Sequence, residues 1–143
     1  MADGDGQLTP DDVLVVEDDP QINELVGAYA QIAGFEYRRA LNGTDALAEV
    51  GRRTPRVIVL DVMLPDLDGF EIWRRIKQQQ AAAGARVPII FLTAMDSDAA
   101  RRKGMECGAD EYLTKPFDPD RLLESLARYS HTAPPSPAPE VPR

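Results

Sequence analysis

Four residues with side chains suited to phosphate chemistry stand at equivalent places along the 143-residue chain: Asp18, Asp61, Thr93 and Lys115. Each follows, directly or within one turn, a short run of apolar and β-branched residues of the kind that forms buried strands. The strands of a parallel sheet end at a common carboxyl edge, where open α/β sheets bind their ligands. Carboxylates, a hydroxyl and an ammonium collected at that edge would suit phosphoryl chemistry on a metal ion.

The elements that must position these residues can be read from the hydrophobic pattern, which predicts five strand–helix units. Strands are predicted over 13–16, 35–40, 57–60, 87–92 and 111–114. Helices are predicted over 20–34, from Thr44 to about 52, over 70–76 with a gradual end in 78–85, from Ser97 or Asp98 to about 107, and over 119–129. This alternation favours an α/β fold with an open five-stranded parallel sheet and helices on both faces. The partly polar segment 35–40 is expected at an edge of the sheet.

The two ends of the chain differ in composition from the rest. Residues 1–11 are rich in Gly, Asp and Pro, which predicts a flexible N-terminal segment. Five prolines fall in the last ten residues, so 131–143 is expected to be a polyproline-like tail or linker. One folded domain is therefore predicted over residues 12–130.

The overall charge and cysteine content limit the possible functions. The chain carries 24 acidic and 16 basic residues, a net charge of −8, which disfavours direct nucleic acid binding. The single cysteine, Cys107, cannot form an internal disulfide. Because the sequence has neither a secretory signal nor an apolar stretch of about 18 residues, no membrane insertion and a cytoplasmic location are expected.

Four motifs, taken together and in order, resemble the receiver domain of two-component response regulators. They are V-V-E-D-D-P at 15–20, L-D-V-M-L-P-D-L-D-G at 60–69, F-L-T-A at 91–94 and G-A-D-E-Y-L-T-K-P-F at 108–117. The resemblance covers roughly residues 12–130. It implies a flavodoxin-like, doubly wound sheet in strand order 2-1-3-4-5 and a role in phosphorylation-dependent signalling.

The resemblance implies that Asp61 is the phosphoacceptor and that the chain catalyses its own phosphorylation and slow autodephosphorylation, with no external substrate. Lys115 would contact the phosphoryl oxygens, and a cis peptide bond between Lys115 and Pro116 would aim the ammonium at Asp61. Thr93 would hydrogen-bond a phosphoryl oxygen. Tyr112 matches the family's aromatic switch position and would turn inward when Thr93 is drawn toward the phosphate.

Mg²⁺ is the implied cofactor, because an aspartate that attacks a negatively charged phosphoryl donor needs a divalent cation. The expected ligands are Asp18, Asp61 and the backbone carbonyl of Met63, with Glu17 contributing through a water molecule. Without the resemblance, the acidic triplet 17–19 fits equally well a solvated strand end with Asp19 as a helix cap.

The resemblance also bears on partners and on the lifetime of the phosphoryl group. The phosphodonor would be a sensor histidine kinase or phosphotransfer protein that docks against the first helix and the loops around Asp61 and Pro116. A downstream effector domain or protein would receive the signal. The family's two variable positions that influence lifetime hold Met63 and Met95, and neither side chain can orient an attacking water, which predicts a long-lived phosphoryl group.

Three other functions share this fold or this chemistry. A pseudo-receiver would be a protein-interaction module of the same fold that never takes a phosphoryl group, but the complete set of edge residues argues against it. A phosphatase of the haloacid dehalogenase type needs D-x-D, where this chain has Asp61-Val62-Met63. A flavodoxin needs a phosphate-cradling loop after the first strand, where this chain has acidic residues that would repel the phosphate.

Overall fold

Strands and helices alternate along the chain as the sequence predicts. The structure, a computed structural model, describes residues 12–83 and 87–129, so the predicted segments 1–11 and 131–143 lie outside the described residues. The strands are β1 (Asp12–Val16), β2 (Glu36–Ala40), β3 (Val57–Leu60), β4 (Ile89–Thr93) and β5 (Glu111–Thr114). The helices are α1 (Pro20–Ile32), α2 (Gly43–Arg52), α3 (Gly69–Ala83), α4 (Asp98–Glu106) and α5 (Pro119–Ala127). Among the described residues, none of these helices is long and apolar enough to cross a membrane.

All five strands form one parallel sheet in the order β2-β1-β3-β4-β5. This confirms the predicted flavodoxin-like topology, with β2 at one edge. The chain runs outward from β1 to β2 and then crosses back to β3. The carboxyl ends of β1 and β3 therefore flank the point where the winding changes direction, and the Asp61 N–H donates there to the Val16 carbonyl at 3.0 Å.

Apolar side chains alternate between the two faces of the sheet and build two separate cores. Leu14, Ile58 and Phe91 belong to the core that faces α2, α3 and α4. Their strand neighbours Val13 and Val59 belong to the core that faces α1 and α5. Because β1, β3 and β4 are buried on both faces, they read as nearly continuous apolar runs rather than as alternating patterns.

The start of α2 differs from the sequence prediction. Thr44 was the predicted N-cap, but Asn42 takes that place, since its side chain accepts from the Asp45 N–H at 2.8 Å. The Thr44 hydroxyl instead donates to Asp66 in the loop after β3 at 2.8 Å. The Asp66 carboxylate also accepts from the backbone N–H groups of Gly43 and Thr44, at 2.8 and 3.0 Å. This contact joins two loops that are far apart in sequence.

The third helix also differs from its prediction, because α3 runs without a break through the Gln- and Ala-rich segment to Ala83. Gln80 is buried there, and its side-chain oxygen accepts from the Val87 N–H at 2.9 Å. The Gln80 side chain thus connects the last turn of α3 to Val87, just before β4. Hydrophobic periodicity could not predict this contact, because it is made by a polar residue.

A buried arginine explains why the edge strand β2 is partly polar. Arg38 pairs with Asp12 at 3.0 Å and with Glu49 near the end of α2 at 2.9 Å. Arg38 also donates to the Arg53 carbonyl at 2.9 Å. These bonds fasten the start of β1 and the end of α2 to the edge strand, away from the carboxyl edge of the sheet. Buried charges of this kind are tolerated only when they are paired and hydrogen-bonded.

Asp66→Asn should make thermal stability depend less on acidic pH. The backbone N–H of Gly43 and the Thr44 hydroxyl lower the pKa of Asp66 from an ordinary 3.8 to about 2. A carboxylate with a depressed folded-state pKa stabilises the fold above its unfolded pKa, and this contribution is lost as the pH falls through the folded value. Melting curves by circular dichroism should show the wild type above the variant at neutral pH, with the gap closing between about pH 4 and about pH 2. If the difference in melting temperature stays constant down to about pH 2, the Asp66 carboxylate does not stabilise the fold in this way.

Candidate functional site

Three acidic residues meet at the carboxyl edge of the sheet. Glu17 and Asp18 follow β1, and Asp61 follows β3. Each offers a carboxylate oxygen, and these oxygens all lie within 4.8 Å of one another. Glu17 and Asp61 are only 5% and 4% exposed, whereas Asp18 faces solvent. The structure therefore brings together residues that are more than 40 positions apart in the sequence.

Lys115, just after β5, reaches the same place. Its Nζ lies 2.9 Å from Asp61 Oδ2 and also donates to Glu17 Oε1. The peptide bond between Lys115 and Pro116 is cis. Burial lowers the pKa of the Lys115 ammonium, but hydrogen bonds to Glu17 and Asp61 outweigh it and leave that pKa raised. Burial likewise raises the pKa of Glu17, and the contact with Lys115 counters only part of this effect.

Backbone N–H groups hold the remaining carboxylate oxygens of the buried pair. Asp61 Oδ1 accepts from the Met63 N–H at 3.0 Å, and Glu17 Oε2 accepts from the Asp19 N–H at 3.0 Å. Asp18 has no hydrogen-bond partner for its carboxylate within 12–83 and 87–129. Asp19, in turn, caps α1 by accepting from the N–H of Gln21 at 2.9 Å. The acidic triplet thus divides into a buried acid, an exposed acid and a helix cap.

The donor set at this edge fits a hard divalent cation. Glu17, Asp18 and Asp61 offer only oxygen ligands, which Mg²⁺ and Ca²⁺ prefer over nitrogen or sulfur. When ionised, the three carboxylates and the Lys115 ammonium carry a net charge of −2, which a divalent ion would balance. Chemically, the arrangement combines a buried carboxylate that could act as a nucleophile with a fixed ammonium and three carboxylates that could hold a cation.

Thr93 ends β4 at the same edge, but its hydroxyl makes no hydrogen bond to Asp61 in the described part of the chain. Thr93 Oγ1 accepts from the Met95 N–H at 3.3 Å, and the Thr93 carbonyl accepts from the Lys115 N–H at 2.8 Å. The Met95 carbonyl accepts from the Tyr112 hydroxyl at 2.6 Å. Met95 therefore joins Thr93 to Tyr112 through its own main-chain groups.

Tyr112 points into the protein and is 5% exposed. A Cβ on Gly104 of α4 would lie 2.6 Å from its ring, so the glycine leaves the space that the ring occupies. The Arg101 guanidinium lies 5.2 Å from the ring centroid, and Arg101 also donates to the Tyr112 carbonyl at 3.2 Å. The contacts of Arg101 and Gly104 with Tyr112 were not predicted from the sequence, because they depend on how α4 packs on β5.

Gly69 is a further residue of the site that the sequence pattern missed. It begins α3, donates its N–H to the Val62 carbonyl at 2.8 Å, and packs against the backbone of Asp61. The pair Asp68-Gly69 reads as an ordinary turn signal, which hides this close approach. The glycine therefore helps to set where the Asp61 backbone lies.

The sheet is parallel and doubly wound, and its acidic cluster lies where the winding changes direction. These features define the class of this protein: an open α/β domain with its ligand site at the carboxyl edge of the sheet. The family model for the response regulator receiver domain matches residues 13–127. The chain belongs to this family, the receiver domains of two-component signalling, which accept phosphoryl groups and work with histidine kinases and effector domains.

Similar proteins agree with this assignment. The transcriptional regulatory protein GltR of Pseudomonas aeruginosa is 44% identical over 114 residues, covering 80% of this chain and 46% of GltR. The DNA-binding dual master transcriptional regulator RpaA of Synechocystis is 36% identical over 111 residues, covering 78% of this chain and 45% of RpaA. The chain thus spans about half the length of these curated relatives.

Solved structures show the same fold. The chemotaxis protein CheY4 of Vibrio cholerae matches with a TM-score of 0.76 and 34% identity, covering 85% of this chain and all of CheY4. The BeF3-activated DrrB receiver domain matches with a TM-score of 0.75 and 37% identity, covering 85% of this chain and 97% of that one. Both are close enough in sequence to support family membership as well as fold.

Gly69→Ala should destabilise the protein by about 1–3 kcal/mol, the usual result of overpacking. Its new Cβ would lie 2.5 Å from the Asp61 carbonyl oxygen and 2.6 Å from Val62 Cα, so the backbone beside Asp61 must shift. Urea unfolding followed by circular dichroism measures the change.

Gly51→Ala in α2 is the matched control, because a Cβ there meets nothing within 4 Å. It should stabilise the protein by about 0.5–1 kcal/mol through helix propensity. If the two variants unfold at the same urea concentration, Gly69 does not constrain the site.

Proposed function

We propose that this chain is a phosphorylation-dependent switch in which Asp61 accepts a phosphoryl group from a partner histidine kinase or phosphotransfer protein in the presence of Mg²⁺. The observation that carries the proposal is the position of the Asp61 carboxylate, which is buried, lies beside two further carboxylates and is held by the Lys115 ammonium at 2.9 Å. Membership of the receiver family supports the same reaction.

In the proposed transfer, a carboxylate oxygen of Asp61 attacks the phosphorus atom of the donor. A bond from phosphorus to that oxygen forms, the bond from phosphorus to the donor's imidazole nitrogen breaks, and the product is an aspartyl phosphate. Lys115, whose Nζ lies 2.9 Å from Asp61 Oδ2, would contact a phosphoryl oxygen as a point charge. The protein is its own substrate, and hydrolysis of the aspartyl phosphate returns it to the starting state.

The residues that would hold Mg²⁺ are Asp18, Asp61 and the backbone carbonyl of Met63, with Glu17 acting through a water molecule. Two observations support this division. Glu17 is already occupied by Lys115 and by the Asp19 N–H, whereas the exposed Asp18 carboxylate has no hydrogen-bond partner in the described ranges. When bound, the ion would offset the negative charge of the phosphoryl oxygens that otherwise repel Asp61.

The switch would run from Thr93 to Tyr112. If the Thr93 hydroxyl turns to a phosphoryl oxygen, the Met95 N–H loses the acceptor it has at 3.3 Å, and the loop after β4 is free to move. The Met95 carbonyl holds the Tyr112 hydroxyl, so that movement would change what Tyr112 contacts. Phosphorylation would thus be coupled to the face formed by α4 and β5.

The kinase or phosphotransfer protein would dock beside α1, where an apolar cavity of about 280 Å³ opens next to Lys115 and Pro116. Ile22, Leu25 and Phe117 line it, and Leu25 is exposed. Such a surface suits the helical, partly apolar face of a partner. A downstream effector domain or protein would respond to the phosphorylated form of the chain. This would take place in the cytoplasm, without direct binding of nucleic acid by this chain.

Asp61→Asn should abolish phosphorylation. Incubated with acetyl phosphate and Mg²⁺, the wild type should gain the mass of one phosphoryl group, and the variant should gain none because an amide cannot act as the nucleophile. Intact-protein mass spectrometry measures both. Glu124→Gln, an exposed acid on α5, is the control that should label like the wild type. A wild type that never gains mass would leave the pseudo-receiver interpretation standing.

The phosphoryl group should be long-lived, lasting minutes or more at neutral pH after acetyl phosphate is removed. Met63 and Met95 flank the site, and neither side chain can orient a water molecule for attack on phosphorus. Met63→Asn should shorten the lifetime, while Met105→Asn, an exposed methionine on α4, should not. Decay of the phosphorylated mass over time measures this, and a wild-type half-life of seconds is the contrary result.

A further inference from the structure

Asn23 is a polar residue in α1 that the proposed reaction does not use, and it is completely buried, with 0% exposed. Its Nδ2 lies 3.1 Å from the Val15 carbonyl, 3.0 Å from the Glu17 carbonyl and 3.0 Å from the Ala40 carbonyl. These carbonyls lie at the ends of β1 and β2, where the hydrogen bonding between the two strands ends. One side-chain amide therefore joins two neighbouring strand ends to a helix.

The contact with the Glu17 carbonyl matters most for the site. That carbonyl belongs to the peptide plane that links Glu17 to Asp18, so its direction sets where both side chains leave the backbone. The Glu17 N–H is fixed as well, because it donates to the Ala40 carbonyl at 3.2 Å. The turn that carries both acids is thus held on each side of Glu17.

Tyr37, in the edge strand β2, fixes the orientation of this amide. Its hydroxyl donates to Asn23 Oδ1, so the Nδ2 protons must face the strand ends. The Tyr37 ring lies against Gly27 of α1, where a Cβ would come within 2.6 Å of the ring atoms. The Gly27 backbone therefore limits how far the ring, and with it the hydroxyl, can move toward α1.

Because Asn23 and Tyr37 hold the turn that carries two acids of the site, their hydrogen bonds bear on the site as well as on stability. Glu17 is buried beside the like charge of Asp61, and the Lys115 ammonium that pairs with both offsets their repulsion but makes no hydrogen bond to Asp18 within 12–83 and 87–129. We propose that Asn23, oriented by Tyr37, is a positioning residue for the cation site, which keeps Glu17 and Asp18 within reach of the ion that Asp61 also binds. This inference rests on the proposed function, since it presupposes the Mg²⁺ site. Groups that orient metal ligands typically contribute 10–100-fold to metal affinity.

The test is the Mg²⁺ affinity of the unphosphorylated full chain, measured by isothermal titration calorimetry. Asn23→Ala should weaken binding by about 10–100-fold. Tyr37→Phe removes only the hydroxyl and should weaken binding in the same direction by a smaller factor. Tyr29→Phe, which deletes a hydroxyl elsewhere on α1, should bind like the wild type.

A second control separates positioning from plain loss of stability. Val26→Ala, buried in the same helix, should lower the melting temperature in EDTA, as Asn23→Ala does, but leave Mg²⁺ affinity unchanged. If Val26→Ala weakens Mg²⁺ binding as much as Asn23→Ala, or if Asn23→Ala binds like the wild type, the inference is overturned.

Tyr37→Phe keeps the test decisive if Asn23→Ala fails to fold: weaker binding than Tyr29→Phe supports the inference, and equal binding overturns it. A wild type that binds no Mg²⁺ would overturn the proposed cation site itself, which is a different result from a wild type that binds while all variants match it.

Discussion

The structure depends on an arrangement that holds three carboxylates, those of Glu17, Asp18 and Asp61, close together at one edge of the sheet. Two carboxylates about 4 Å apart repel by about 4 kcal/mol where the effective dielectric constant is about 20, and this is a large share of a typical stability of about 5–15 kcal/mol. Lys115 offsets the repulsion between Glu17 and Asp61, and two backbone N–H groups take the remaining oxygens of that pair. The fold thereby holds a site of net negative charge at this edge, of the kind that would attract the cation of the proposed function.

The residues that meet at the edge are supported from outside it. Asn23 holds the turn after β1, Gly69 lets α3 start against the Asp61 backbone, and Asp66 ties the loop after β3 to the start of α2. The Asp66 contact joins residues 23 positions apart, whereas Asn23 and Gly69 hold segments that are close to them in sequence. Rigid support of this kind would favour the proposed reaction of Asp61, because small displacements of reacting groups lower the reaction rate.

Sequence reasoning was sufficient for the fold and for the residues that end each strand. Buried parallel strands leave continuous apolar runs, and polar residues such as Asp61 and Thr93 stand out directly after them. It failed where the decisive contact lies between elements. Thr44 looked like a cap by local pattern, but Asp66 captures its hydroxyl from another loop. Asn23 and Gly104 gave no local signal, because an asparagine or a glycine within a helix reads only as a weak helix former.

The path from Thr93 to Tyr112 passes through the N–H and the carbonyl of Met95, not through its thioether. Hydrogen bonds made by main-chain groups do not depend on which side chain the residue carries. In the proposed switch, a different side chain at position 95 would alter the lifetime of the phosphoryl group without removing the hydrogen bonds that lead to Tyr112.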